Sequence, residues 1–104
     1  MVNERKISKE LIHFGRREYH EKKPIQVNIL RIKDSTSFKR GMFPSLVIKQ
    51  SQPIQYIVVA EYIDIARVYL FNSKGILIGA ENLEKESSIL ERLAKVGKKL
   101  YHIP

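Results

Sequence analysis

Tyr56–Ala80 reads YIVVAEYIDIARVYLFNSKGILIGA, and the fold hangs on how this stretch is interpreted. β-branched and aromatic residues are denser here than elsewhere in the chain, a composition that suits a pleated, half-buried surface. Within it, Asn72-Ser73-Lys74-Gly75 separates two apolar runs. Asn tolerates left-handed backbone angles and Gly supplies them without steric cost, so these residues predict a hairpin turn. Arg67–Phe71 and Ile76–Ala80 are then expected to pair as antiparallel strands. Upstream, Tyr56–Glu61 predicts another strand, and Ala66–Phe71 the one that enters the turn. The link Glu61–Ile65 lacks Gly, Pro and Asn. It is compatible with a tight turn around Tyr62–Asp64, a kinked continuous strand or a short helical turn.

Working back toward the start, Leu46–Lys49 predicts a short strand that Gln52-Pro53 ends. Asp34–Ser45, DSTSFKRGMFPS, gathers chain breakers and predicts the one extended loop. At its middle, Phe38 and Phe43 flank Lys39, Arg40 and Gly41. Two aromatics around a basic pair suit stacking on bases beside phosphate contacts, although burial is the usual fate of a phenylalanine. Pro24–Ile29 alternates apolar and polar, predicting a half-buried strand with Ile25, Val27 and Ile29 inward. The pattern then slips at Leu30 and Ile32, which predicts a β-bulge or bend and carries Arg31 and Lys33 to the outer face.

The segment before Pro24 has a helical period. Ser8 is a suitable N-cap, and proline ends the helix at about Lys22 or Lys23. Ile7, Leu11 and Phe14 fall on one face, while Lys9, His13, Arg16, His20 and Lys23, with Arg17 beside them, form a basic stripe opposite. Glu10, Glu18 and Glu21 stand away from that stripe. An amphipathic helix needs some polar outside; a stripe of a single sign goes beyond that need.

After Gly79 the acids Glu81, Glu84 and Glu86 precede a second helical period. Asn82 is an acceptable cap, and Ser88 with Glu91 forms a capping box if the helix starts one turn later. Leu83, Leu90, Leu93, Ala94, Gly97, Leu100 and Tyr101 build its apolar face, and Gly97 at the centre predicts a close backbone approach. The expected architecture is α+β: an N-terminal helix, about five mostly antiparallel strands in a curved sheet, and a C-terminal amphipathic helix. Both helices are expected on one face of the sheet, leaving the other partly open. The 104 residues suffice for one domain with a modest core, residues 1–7 being flexible.

The formal net charge is +8, and it is lopsided. Residues 1–50 carry 12 Lys and Arg against 5 Asp and Glu; residues 51–104 carry 7 against 6. A one-sided basic field attracts polyanions. The absence of cysteine excludes disulfides and thiolate chemistry. MVNERKISKE is charged where a signal peptide needs an apolar core, and no apolar run approaches the roughly 20 residues of a membrane span. A cytoplasmic location without membrane attachment is therefore expected. The three histidines show no metal-ligand spacing. No glycine-rich phosphate loop is present, so neither metal nor cofactor is expected.

These features point first to a small nucleic-acid-binding protein, DNA or RNA, acting as a homodimer. The expected contacts are Lys9, His13, Arg16, Arg17, His20, Lys23, Arg31, Phe38, Lys39, Arg40 and Phe43. The alternative is a regulatory adaptor of phage, plasmid or virus type that grips an acidic protein. The third reading is a metal-independent ribonuclease, using His13, Arg16, Arg17, His20 and tyrosines for acid–base work and charge stabilisation.

Overall fold

Asn72 holds the hairpin together. Its side-chain oxygen accepts from the backbone N–H of Lys74 at 2.9 Å and of Ile76 at 3.0 Å, while its own N–H donates to the Ile76 carbonyl at 3.0 Å. Gly75 takes the left-handed conformation, φ 79°, that the turn demands. A computed structural model describes residues 4–32 and 54–104. In chain order these form α1 (Glu4–Gly15), β1 (Gln26–Ile32), β2 (Tyr56–Glu61), β3 (Ala66–Phe71), β4 (Leu77–Leu83), α2 (Ser88–Val96) and β5 (Gly97–Ile103). The expected loop Asp34–Ser45, with Phe38, Lys39, Arg40 and Phe43, and the expected strand Leu46–Lys49 lie outside the described residues.

The five strands make one antiparallel sheet, ordered β4-β3-β2-β1-β5. Strands β2 and β3 have the expected bounds. Their link is a tight turn, with Tyr62 N–H donating to the Ile65 carbonyl at 2.7 Å. An α+β fold with a helix toward each end of the chain is therefore correct.

The layering is not as expected. Successive strand residues face opposite ways, and both sets are buried. Ile57, Val59, Val68 and Leu70 pack with Leu93 of α2, whereas Tyr56, Val58, Ala60 and Tyr69 pack with Ile7 and Leu11 of α1. The helices thus cover opposite faces, and the sheet is the middle layer. This also accounts for the pattern slip in β1. Val27 and Ile29 belong to the α1 side, Leu30 and Ile32 to the α2 side, so a strand covered on both faces has no single inward phase. An irregularity does fall at Ile29/Leu30, in the pairing with β5. Its extra residue, Leu100, belongs to β5, and β1 runs in unbroken register along β2.

Both helices are shorter than their periods suggest. α1 begins at Glu4, so residues 4–7 are helical and Ile7 is buried; Ser8 is a buried residue inside the helix instead of its cap. α1 ends at Gly15, well before Pro24. A β-carbon at Gly15 would lie 2.7 Å from Val27 Cγ1 and 2.8 Å from Val58 Cγ1, so the helix touches the sheet there through bare backbone. The last turn tightens as Arg17 N–H donates to the Phe14 carbonyl at 3.2 Å. α2 starts one turn after Asn82, capped by Ser87, whose hydroxyl accepts from Ile89 N–H at 3.3 Å. It ends at Val96. The close approach at Gly97 is to β1: an added β-carbon would lie 3.0 Å from Leu30 Cβ. Residues from Gly97 onward, expected to be helical, instead hydrogen-bond to β1 as β5. No helix among the described residues is long and apolar enough to cross a membrane.

Candidate nucleic-acid interface

Because α1 stops at Gly15, the basic stripe is not one ridge. Lys9 and His13 remain on the helix, one turn apart. Arg16 and Arg17 leave its end, His20 belongs to a separate turn, and Lys23 follows that turn. All six are exposed. Among the described residues none of the six is in an ion pair; the salt bridge found here is Lys22 Nζ to Asp64 Oδ2 at 3.1 Å. That pair is exposed, and the hydrogen bond from Lys22 holds the Asp64 carboxyl below the usual aspartate range. Basic groups beyond a helix C-terminus also complement its dipole, so the pair Arg16–Arg17 stabilises α1 whatever else it does.

The structure sorts these residues around two recesses. Lys9, His13 and Arg17 rim a groove of 450 Å³ between α1 and the β3–β4 hairpin, with Glu10 also on its wall and Phe14, Phe71 and Leu77 among its apolar lining. Arg16 and Lys23 face a second recess of 310 Å³ on the other side, together with Gln26 and Ile103. Arg31 lies half-buried on β1 opposite Lys98 of β5 and lines neither recess.

Several contacts fix Arg17. Its guanidinium carbon sits 4.4 Å over the Phe14 ring. That ring meets Tyr69 and Phe71 edge-on, at centroid distances of 4.6 and 5.5 Å. Tyr62, 1% exposed, donates its hydroxyl to the Arg17 carbonyl at 2.8 Å. Burial pushes the Tyr62 phenol up to about 12, Tyr69 adding to the shift, so it remains a donor throughout the neutral range.

A polar–aromatic layer missed in the sequence continues from there. Tyr19 and Lys22 close a two-residue turn through reciprocal backbone bonds of 3.0 and 3.1 Å. Its central residues, His20 and Glu21, both have positive φ, 51° and 64°. Asn and Gly usually occupy such positions, so nothing in Tyr-His-Glu-Lys announces the turn. It persists because its surroundings hold it. Asn82 Nδ2 donates to the Tyr19 hydroxyl at 3.0 Å, and Arg67 lies 4.4 Å over the Tyr19 ring. Arg67 also donates to Tyr69 Oη at 2.9 Å and Asn82 Oδ1 at 2.7 Å. Tyr19, His20 and Lys22 line a 250 Å³ recess with Asp64 and Asn82.

His13 and His20 therefore face different recesses, which separates the two groups a ribonuclease reading would draw together. No cluster of three His, Asp or Glu suited to a metal ion occurs among the described residues. Comparison with protein-family models, with curated proteins and with solved structures finds no match.

Proposed function

We propose that this protein binds nucleic acid through the surface around the end of α1. Lys9, Arg16, Arg17 and Lys23 supply charge to phosphates there, His13 and His20 supply ring N–H donors, and Lys39 and Arg40, outside the described residues, add charge for phosphates. The supporting observation is that Lys9, His13, Arg16, Arg17 and Lys23 are free of carboxylate partners among the described residues and rim open recesses. Unpaired surface cations release counterions when they meet a polyanion, which is the principal source of nucleic-acid affinity. A homodimer through the outer edge of β4 or β5 is the matching assembly, because among the described residues each is an end strand of the sheet, with one edge open to pairing.

The test is the double reversal Arg16→Glu and Arg17→Glu, with affinity for random-sequence DNA and RNA read by fluorescence anisotropy at several salt concentrations. Binding should weaken strongly in dilute salt, and the salt slope should flatten by roughly 1 per residue. Unchanged affinity in dilute salt refutes the proposal.

A further inference from the structure

The α1 groove differs from a simple charged ridge, because its basic rim surrounds an apolar, aromatic lining. Its volume of 450 Å³ lies in the range of sites that enclose a small ligand. The far wall is the β3–β4 hairpin, where Leu77 is 43% exposed. That wall is anchored: Asn72 clamps the turn, and Gly75 packs so closely on α1 that an added β-carbon would lie 3.2 Å from Ile7. On the near wall Arg17 has one face on Phe14 and its side chain exposed to solvent. The Tyr62 bond holds its backbone.

A guanidinium laid on an aromatic ring is a ready platform for a nucleobase. In a duplex the base faces are hidden against one another, and only edges and phosphates are presented to a protein. A base reaches Arg17 face-on only from an unpaired strand. We infer that the groove takes a single strand of nucleic acid in preference to duplex, with one base against the outer face of Arg17, its edge toward Leu77, and the adjoining phosphates on Lys9 and His13. This inference rests on the nucleic-acid reading of the same surface. It adds strandedness and a stacking role for one residue.

The experiment compares four labelled 12-residue probes at one salt concentration: oligothymidylate, oligouridylate, an abasic strand of the same charge, and a 12-base-pair duplex. Wild-type protein and Arg17→Lys are titrated with each, circular dichroism confirming that the variant is folded. Lysine keeps the charge and loses the flat face. Wild type should hold both pyrimidine strands at least about fivefold more tightly than the abasic strand, the low end of one base–aromatic stack. Arg17→Lys should lose that advantage, its affinity for both pyrimidine strands falling to within about twofold of its own affinity for the abasic strand. Equal binding of abasic and pyrimidine strands, or a duplex bound as tightly as a single strand, overturns the inference while the nucleic-acid reading stands. Failure to bind any of the four overturns both.

Discussion

Replacing Gly15 by alanine sets two effects of known sign against each other. Inside a helix the exchange favours alanine by up to about 1 kcal/mol. At Gly15, however, the new methyl would lie 2.7 Å from Val27 Cγ1 and 2.8 Å from Val58 Cγ1, against an optimal carbon separation of about 3.5–4.0 Å. Neither valine can yield. Both are essentially unexposed on adjacent central strands, and branching at Cβ confines each to few rotamers. Relief then requires the end of α1 to lift by about 0.8 Å, the gap between 2.7 Å and a 3.5 Å contact. That movement would loosen Leu11 and Phe14 against Tyr69 and Phe71. Overpacking of this kind costs about 1–3 kcal/mol, so Gly15→Ala should be destabilised by up to about 2 kcal/mol once the helix term is subtracted. For a domain of this size the Tm falls by about 4–8 °C per kcal/mol. Urea unfolding followed by circular dichroism should show a lower midpoint with an unchanged m-value. A variant more stable than wild type refutes the seating of α1 on bare backbone.

Two further predictions concern the layer beyond α1. Glu21→Gly should stabilise the protein by about 0.5–1 kcal/mol, because removing Cβ at φ 64° relieves more steric strain than the added freedom of the unfolded glycine costs; a lower Tm than wild type would show that the turn is not strained there. The Tyr62 phenol is raised to about 12 from an unfolded value of about 10, so its stabilisation is whole below about pH 10 and lost as pH rises through 12. The gap in urea midpoint between wild type and Tyr62→Phe should accordingly narrow between pH 10 and 12, and a gap that stays constant would mean that burial does not raise the Tyr62 phenol.

The regions of the fold legible in the sequence are those with local causes. Asn72 and Gly75 specify a turn by their own backbone preferences, and the strands on either side are set by it. The close approach at Gly97 is readable because a glycine centred in an apolar face needs a neighbour; the path of the chain beyond it is not. Leu100 and Tyr101 continue the period of α2, yet the open edge of β1 offers Gly97–Ile103 a row of backbone partners, and a non-local pairing outweighs a local period. The phase slip in β1 is visible in the sequence, but its cause is not, since it records a second covered face instead of a bulge in that strand.

The same competition decides what the basic residues can do. Lys9, His13, Arg16, His20 and Lys23 recur at helical spacing, and a continuous helix would present them as one convex ridge suited to duplex phosphates. Gly15 ends that helix on the sheet, and the segment from Arg16 to Lys23 is governed by long-range contacts: Tyr62 to Arg17, Asn82 and Arg67 to Tyr19, Asp64 to Lys22. Their effect is to separate the adjacent arginines. Arg16 goes with Lys23 to one recess, while Arg17 folds back over Phe14 to complete the groove that Lys9 and His13 begin. The residues expected to carry charge are thus identifiable from composition and spacing, but their shape is not. A helix broken at residue 15 turns some of that convex surface concave, and the proposed contact with a base face depends on that concavity.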